Sequence, residues 1–207
     1  MQASPEVRFY VKMTDTYIPG MPPGSMVFIE IGVETTEPLV AWTMSLAWDP
    51  AVLSMGYDPD GPGPVPPYEA FEGPFLSAWC TAYPWPNGTT FVKGTINNAG
   101  GKVTTTSCGI NNWKALPAGA GPTGTGTLVY YYFTSLSMPG TYSILDLYDC
   151  EYGTTEGTFY PDIVDDGHYG GPPPVPEFPL GSIAPIALIA AIAYIWWVTR
   201  RKRQEAV

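Results

Sequence analysis

Apolar and polar residues alternate with a period of two through most of the chain before Tyr169. Val7, Phe9, Val11 and Met13 alternate with Arg8, Tyr10 and Lys12. Val27, Ile29, Ile31 and Val33 fall on one side of the next run. In LVAWTMSLAWDP, Val40, Trp42, Met44, Leu46 and Trp48 share one face, and Ala41, Thr43, Ser45 and Ala47 share the other. Successive strand side chains point to opposite faces, so this pattern predicts strands that each bury one side. Further runs are TTFVKGTI, KVTTTSCGI, GTLVYYYFTSL, TYSILDLYD and PDIVDDGHY. In the tyrosine triplet, Tyr131 faces away from Tyr130 and Tyr132, which predicts one core-facing ring. Eight or nine such strands, bounded by glycine and proline turns, predict an all-β sandwich or barrel of two packed sheets. With 24 prolines and 23 glycines in the chain, no long helix is expected before Leu180.

The pattern changes at the end. Leu180 to Val198 is 19 residues without a charged side chain. As a helix it spans about 28 Å, close to the hydrocarbon thickness of a bilayer. Pro185 sits in its first turns, where proline is tolerated. Tyr194, Trp196 and Trp197 lie at its far end, the place for interfacial rings. Arg200, Arg201, Lys202 and Arg203 follow, which predicts a cytoplasmic tail and an extracellular body. The expected organisation is residues 1–5 as the remnant of an export region and 6–169 as one β-sandwich. A stiff proline-rich linker at 170–179, a single membrane span at 180–198 and a basic tail at 199–207 follow. An exported body implies a signal peptide, and MQASPEVRFYVKM has no apolar core of that kind. The signal is therefore expected to have been removed or to lie upstream.

Charge sharpens this reading. The chain has 9 basic and 19 acidic residues, and four of the basic ones lie in the tail. Such an acidic body argues against nucleic-acid binding, which needs cations for phosphates. Cys80, Cys108 and Cys150 predict one disulfide and one spare thiol in an exported domain, with all three pairings open. Asn87-Gly88-Thr89 is an N-glycosylation sequon, with Asn87 the acceptor.

Several segments carry a family resemblance. VETTEPLVAWTMSLAWDPAVLSM resembles the cohesin segment in which a strand ends in Tyr/Trp-Asp-Pro and a Val-Leu strand follows. GTGTLVYYYFTSL is similar to the later Gly-Thr-Leu strand, and GTYSILDLYDCEYGTTEGTFYPDIVDDGHYGG to the final two strands. The resemblance covers residues 6–169 and implies a nine-stranded jelly-roll sandwich, related in fold to carbohydrate-binding modules. Cohesins bind dockerins in cellulosomes, so it also implies a non-catalytic surface module with a dockerin-like protein partner. The face with Ala41, Thr43, Ser45 and Ala47 is then the partner-binding face. Dockerin-binding cohesins often carry Asn and Asp at matching outward positions, where this chain has Ala41 and Thr43. Separately, Pro176-Glu177-Phe178 before an apolar span and a basic end resembles the PEF-type sorting signals of archaeal surface proteins. That similarity implies processing by an archaeosortase; a permanent anchor is the alternative.

Catalytic chemistry is sparse. His168 is the single histidine and is expected at the surface. Glu30 and Glu34 share a strand face at a separation of roughly 13 Å, too far for either glycosidase geometry. Asp58, Asp60, Gly63 and Glu69 fall at calcium-loop positions 1, 3, 6 and 12, but Pro62 occupies position 5. The loop is read as rigid, and Asp146, Asp149 and Glu151 as a solvated acidic edge near a strand end. No cofactor is expected, with calcium at that loop or at the acidic edge as the alternative. Trp79, Trp85 and Trp113, read as loop residues, are the sugar-stacking candidates for an alternative function as a carbohydrate-binding or adhesive module. A structural envelope component is the third reading.

Overall fold

The computed structural model describes residues 6–12, 22–56, 68–83, 88–137 and 141–170. The chain divides into two compact units, 1–171 and 172–207, and all described residues belong to the first. The strands before the first helix are β1 (Val7–Lys12), β2 (Met26–Thr35), β3 (Ala41–Ala47), β4 (Leu53–Met55) and β5 (Ala70–Glu72). Helix α1 (Pro74–Ala82) follows. Then come β6 (Thr89–Val92), β7 (Thr95–Asn97), β8 (Lys102–Ile110), β9 (Gly124–Ser135) and β10 (Tyr142–Gly153). The last are β11 (Thr158–Phe159), β12 (Ile163–Asp165) and β13 (Gly167–Gly170).

These strands build two sheets. The first runs β12-β1-β2-β9-β4, with β5 also on β9. The second runs β11-β10-β3-β8-β6, with β13 on β10 and β7 on β8. All pairings are antiparallel except β1 with β12. The inward sides meet in one core. Phe9, Ile29, Ile31, Tyr131 and Phe133 come from the first sheet, and Met44, Leu46, Val103 and Leu145 from the second. Burying each such side chain contributes about 1.5–3 kcal/mol, so the inward alternation drives the fold. Val40, Trp42, Met44, Leu46 and Trp48 are all buried, as their alternation predicts. Tyr131 is fully buried while Tyr130 and Tyr132 are partly exposed, as the triplet predicts.

Thirteen strand segments among the described residues replace the expected nine. TTFVKGTI breaks into β6 and β7 at Gly94, where φ is +83° and a Cβ would lie 2.5 Å from the Thr104 carbonyl oxygen. PDIVDDGHY changes sheets. Its Ile163–Asp165 part pairs with β1, and its Gly167–Gly170 part pairs with β10. Asp166 is the corner, and its Oδ1 accepts the Leu147 N–H at 2.9 Å.

Two further expectations are corrected. Trp79 lies on α1, not in a loop. Pro74 stands at the start of that helix, where its missing N–H costs nothing. Leu76 and Cys80, one turn apart, face the core with Phe75. The second correction concerns the cysteines. All three are free and buried. Cys80 lies on α1, Cys108 on β8 and Cys150 on β10. The Cys108 thiol donates to Glu72 Oε1 at 3.3 Å. Burial first, and then the Glu72 charge, push that thiol well up. Cys150 is pushed up to about 12, again mainly by burial. These thiols stay protonated and unreactive at neutral pH.

Candidate functional site

The outer face of the second sheet is built in rows by strand register. Ala41 pairs with Gly109 on β8 and with Gly153 on β10. A Cβ at Gly109 would stand 3.5 Å from the Ala41 Cβ, and one at Gly153 3.3 Å from it. One row across three strands therefore carries a single methyl group. The next row is Glu151, Thr43 and Ser107. Thr43 Oγ1 donates to the Thr106 carbonyl at 3.3 Å. Together these rows floor a shallow depression of about 340 Å³, bordered by Tyr152 and Thr158.

Ser45 departs from the expected exposure. Its strand parity aims it outward with Ala41 and Thr43, yet it is only 2% exposed. Two bulges flank it. On β8 the register slips between Met44 and Leu46, and on β10 between Tyr148 and Glu151. Each bulge contains a residue with positive φ: Thr105 at 61° and Asp149 at 50°. The Thr105 N–H donates to Ser45 Oγ at 3.2 Å. Ser45 is thus a supporting residue beneath the bulge rather than part of the contact surface. A β-branched residue in the left-handed region is strained. Ala47 ends the face opposite Asp146 and Lys102, beside an open depression of about 570 Å³ that includes Asp49 and Asp166.

Several of the acidic groups are engaged. Asp49 Oδ1 accepts the Ala51 N–H at 2.8 Å. Asp146, Asp149 and Glu151 lie at the middle of β10 or in its second half, with Glu151 two residues from its end. Among the described residues, no group of three His, Cys, Asp or Glu side chains could hold a metal ion. Glu30 forms an ion pair with Lys12, and Glu34 lies 3.8 Å from Arg8. Glu69 pairs with Lys93. His168 is half-buried, with its ring 5.8 Å from that of Tyr142.

Trp79 packs against the core and stacks on Tyr83 at 4.6 Å with nearly parallel rings. Trp113 starts a short 3₁₀ turn, also against the core, with Lys114 Nζ 5.7 Å from its ring centre. Trp79 and Trp113 are therefore packing residues in large part. Trp85, Asn87, Asp58, Asp60 and Gly63 lie outside the described residues, as do Pro176-Glu177-Phe178, the 180–198 span and Arg200, Arg201, Lys202 and Arg203. Among the described residues, no helix is long and apolar enough to cross a membrane.

Sequence reasoning missed a second feature, on the outer face of the first sheet. Phe28 on β2 pairs with Tyr132 on β9, and Tyr130 pairs with Phe71 on β5. Phe28 lies 5.2 Å from both Tyr130 and Tyr132. Phe71 lies 5.4 Å from Tyr132, and Tyr68 lies 5.9 Å from Tyr132 and 5.8 Å from Phe71. Five rings thus form one connected group. The alternation of β2 places Phe28 outward, but nothing in the local pattern brings Tyr68 and Phe71 across to it.

The sequence matches no protein-family profile, and none of the curated proteins matches it. The fold is shared with solved cohesins. A type II cohesin of the ScaA scaffoldin of Acetivibrio cellulolyticus superposes with TM-score 0.60 at 14% identity, covering 87% of this chain and 97% of that one. A cohesin in a type II cohesin–X-dockerin complex from the same organism gives TM-score 0.56 at 12% identity, over 80% and 98%. A Clostridium thermocellum cohesin, solved in a type I cohesin–dockerin complex, gives 0.51 at 11%, over 79% and 92%. The described domain is a cohesin-like β-sandwich.

Proposed function

We propose that the chain is a non-catalytic binding module displayed outside a membrane, and that the outer face of β10, β3, β8 and β6 receives a dockerin-like protein. The observation that carries this reading is the side-chain-poor row Gly153–Ala41–Gly109 beside the polar row Glu151–Thr43–Ser107, on a cohesin-like fold. A partner's backbone can approach a row that offers one methyl group, while the neighbouring row supplies hydrogen-bonding groups. Two of the cohesins of like fold were solved in complexes with dockerins, which supports the partner class. Ala41 and Thr43 offer less polarity than Asn and Asp, so the partner depends more on close packing. Catalysis is not part of this reading: the strand-borne acids Glu30 and Glu34 stand beside Lys12 and Arg8 rather than as a free pair.

The display arrangement rests on sequence order. An apolar span at 180–198 precedes Arg200, Arg201, Lys202 and Arg203, with Pro176-Glu177-Phe178 ahead of it as a sorting motif. Protease added to intact cells should digest the body and spare the tail; a protected body reverses the orientation. Partner binding is read by titrating the full chain with a panel of purified dockerin domains. Thr43→Arg should leave the circular-dichroism spectrum unchanged and abolish the interaction. A folded Thr43→Arg protein that binds normally overturns the proposed face.

A further inference from the structure

We infer that the aromatic group on the outer face of the first sheet is a binding platform for a neutral polysaccharide chain, separate from the protein-binding face across the sandwich. Phe28 is 41% exposed, and Tyr68 and Phe71 are each 45% exposed. They flank Tyr130 and Tyr132 and contact them ring to ring, so the apolar surface is contiguous. Contiguous exposed aromatic surface on a soluble domain marks an interaction site. The rings also brace one another, which reduces the ordering cost of binding.

The chemistry of the border selects the ligand. Lys12 closes on Glu30 and also donates to Thr127 Oγ1 at 2.8 Å. Lys93 closes on Glu69, the chain neighbour of Tyr68. The charges next to the rings are therefore neutralised in pairs, within a chain whose net charge is −10. A charged ligand finds no uncompensated counter-charge here, and a polyanion is repelled by the molecule as a whole. A neutral polyhydroxylated ring matches both parts of the surface. Its C–H face lies on Phe28, Phe71 and Tyr132, while its hydroxyls reach tyrosine oxygens and the rim groups Glu30, Lys12 and Glu69. The rings come from β2, β9, β5 and Tyr68 just before β5, and stand on a sheet face, so they suit an extended chain with several sugar contacts.

The test uses the full chain in a polyoxyethylene-ether detergent, which carries no sugar. Native gels containing hydroxyethylcellulose, laminarin or amylopectin measure retardation, and sedimentation with insoluble cellulose or chitin measures capture. The expected result is binding to at least one of these five. Phe71→Ala and Tyr132→Ala should weaken it roughly tenfold, the equilibrium change given by about 1.4 kcal/mol for a lost ring contact. Tyr132→Phe, which keeps the ring, should lose less, and Thr43→Arg should bind sugar normally. Nitration by tetranitromethane, mapped by mass spectrometry on the unaltered protein, should show Tyr68, Tyr130 and Tyr132 protected by the bound polysaccharide. Binding to none of the five probes overturns the inference, as does equal binding by the alanine variants or unprotected tyrosines in the complex. A dimer that Phe71→Ala dissociates would instead assign the platform to self-association and overturn it.

Discussion

The two sheets bury the same kind of residue and display opposite kinds. Inward, both present aliphatic and aromatic side chains. Outward, the first sheet sets Phe28 opposite Tyr132 and Tyr130 opposite Phe71. The second sets Ala41 between two glycines and Thr43 between Glu151 and Ser107. Folding constrains the inward side through the burial of apolar surface. It asks little of the outward side, so the contrast between a face of rings and a face of small and polar residues reflects what each surface meets.

Measurements on single residues can break or sharpen that contrast. The largest effect is expected inside it, at Trp42→Ala, which should cost about 3–5 kcal/mol in chemical denaturation because a buried ring leaves a cavity. A loss below about 1 kcal/mol would mean the inward side of β3 is misassigned. Ser45→Arg comes next. Ser45 shares the outward parity of Thr43 but lies buried under the Thr105 bulge, so a charge there should cost more than about 2 kcal/mol. Thr43→Arg, two residues earlier, should cost under about 0.5 kcal/mol. Equal costs for the two arginines would remove the distinction between open face and bulge.

Tyr131→Phe probes the core between the faces. The Tyr131 hydroxyl is buried and makes no hydrogen bond, although Thr106 is beside it. Deleting it should be neutral or stabilise by up to about 1 kcal/mol, since an unmet buried donor is costly. A clear loss of stability would show that the hydroxyl is satisfied.

Alkaline pH should give a broader but gentler effect. Burial pushes Cys150 up to about 12 and Cys108 higher still. Unfolded thiols ionise near about 8.5, so above that pH the folded state holds more protons than the unfolded state. Stability should therefore fall as pH rises from about 8.5 towards 12. Cys150→Ala should flatten part of that slope, and an unchanged slope would remove Cys150 as a cause.

Local alternation made the core of each long strand legible. Trp42 and Tyr131 follow from it directly. What it could not show depends on long-range pairing or local irregularity. Thr105 and Asp149 bulge without a glycine to announce them, and so the burial of Ser45 was hidden. PDIVDDGHY keeps one rhythm while crossing from one sheet to the other at Asp166, because period-two spacing says nothing about the neighbouring strand. Tyr68 and Phe71 sit in proline-rich sequence, and only the pairing of β5 with β9 brings them to Phe28. Helix α1 did leave a signal, the proline at its start and the one-turn spacing of Leu76 and Cys80.

The parallel contact of β1 with β12 also sets an order of events in the life of the chain. Val7 donates its N–H to Asp162 and accepts the N–H of Asp162 on its carbonyl, both at 2.8 Å and across 155 positions. Arg8 pairs with Asp165 at the same seam. Nothing synthesised before that region can supply these partners, so β1, although it precedes the other described strands, is among the last of them to be enclosed. Closure of so distant a loop is slow compared with local pairing. A chain still being made keeps one edge of its first sheet open. The sandwich shuts only when Asp162 and β12 have been made.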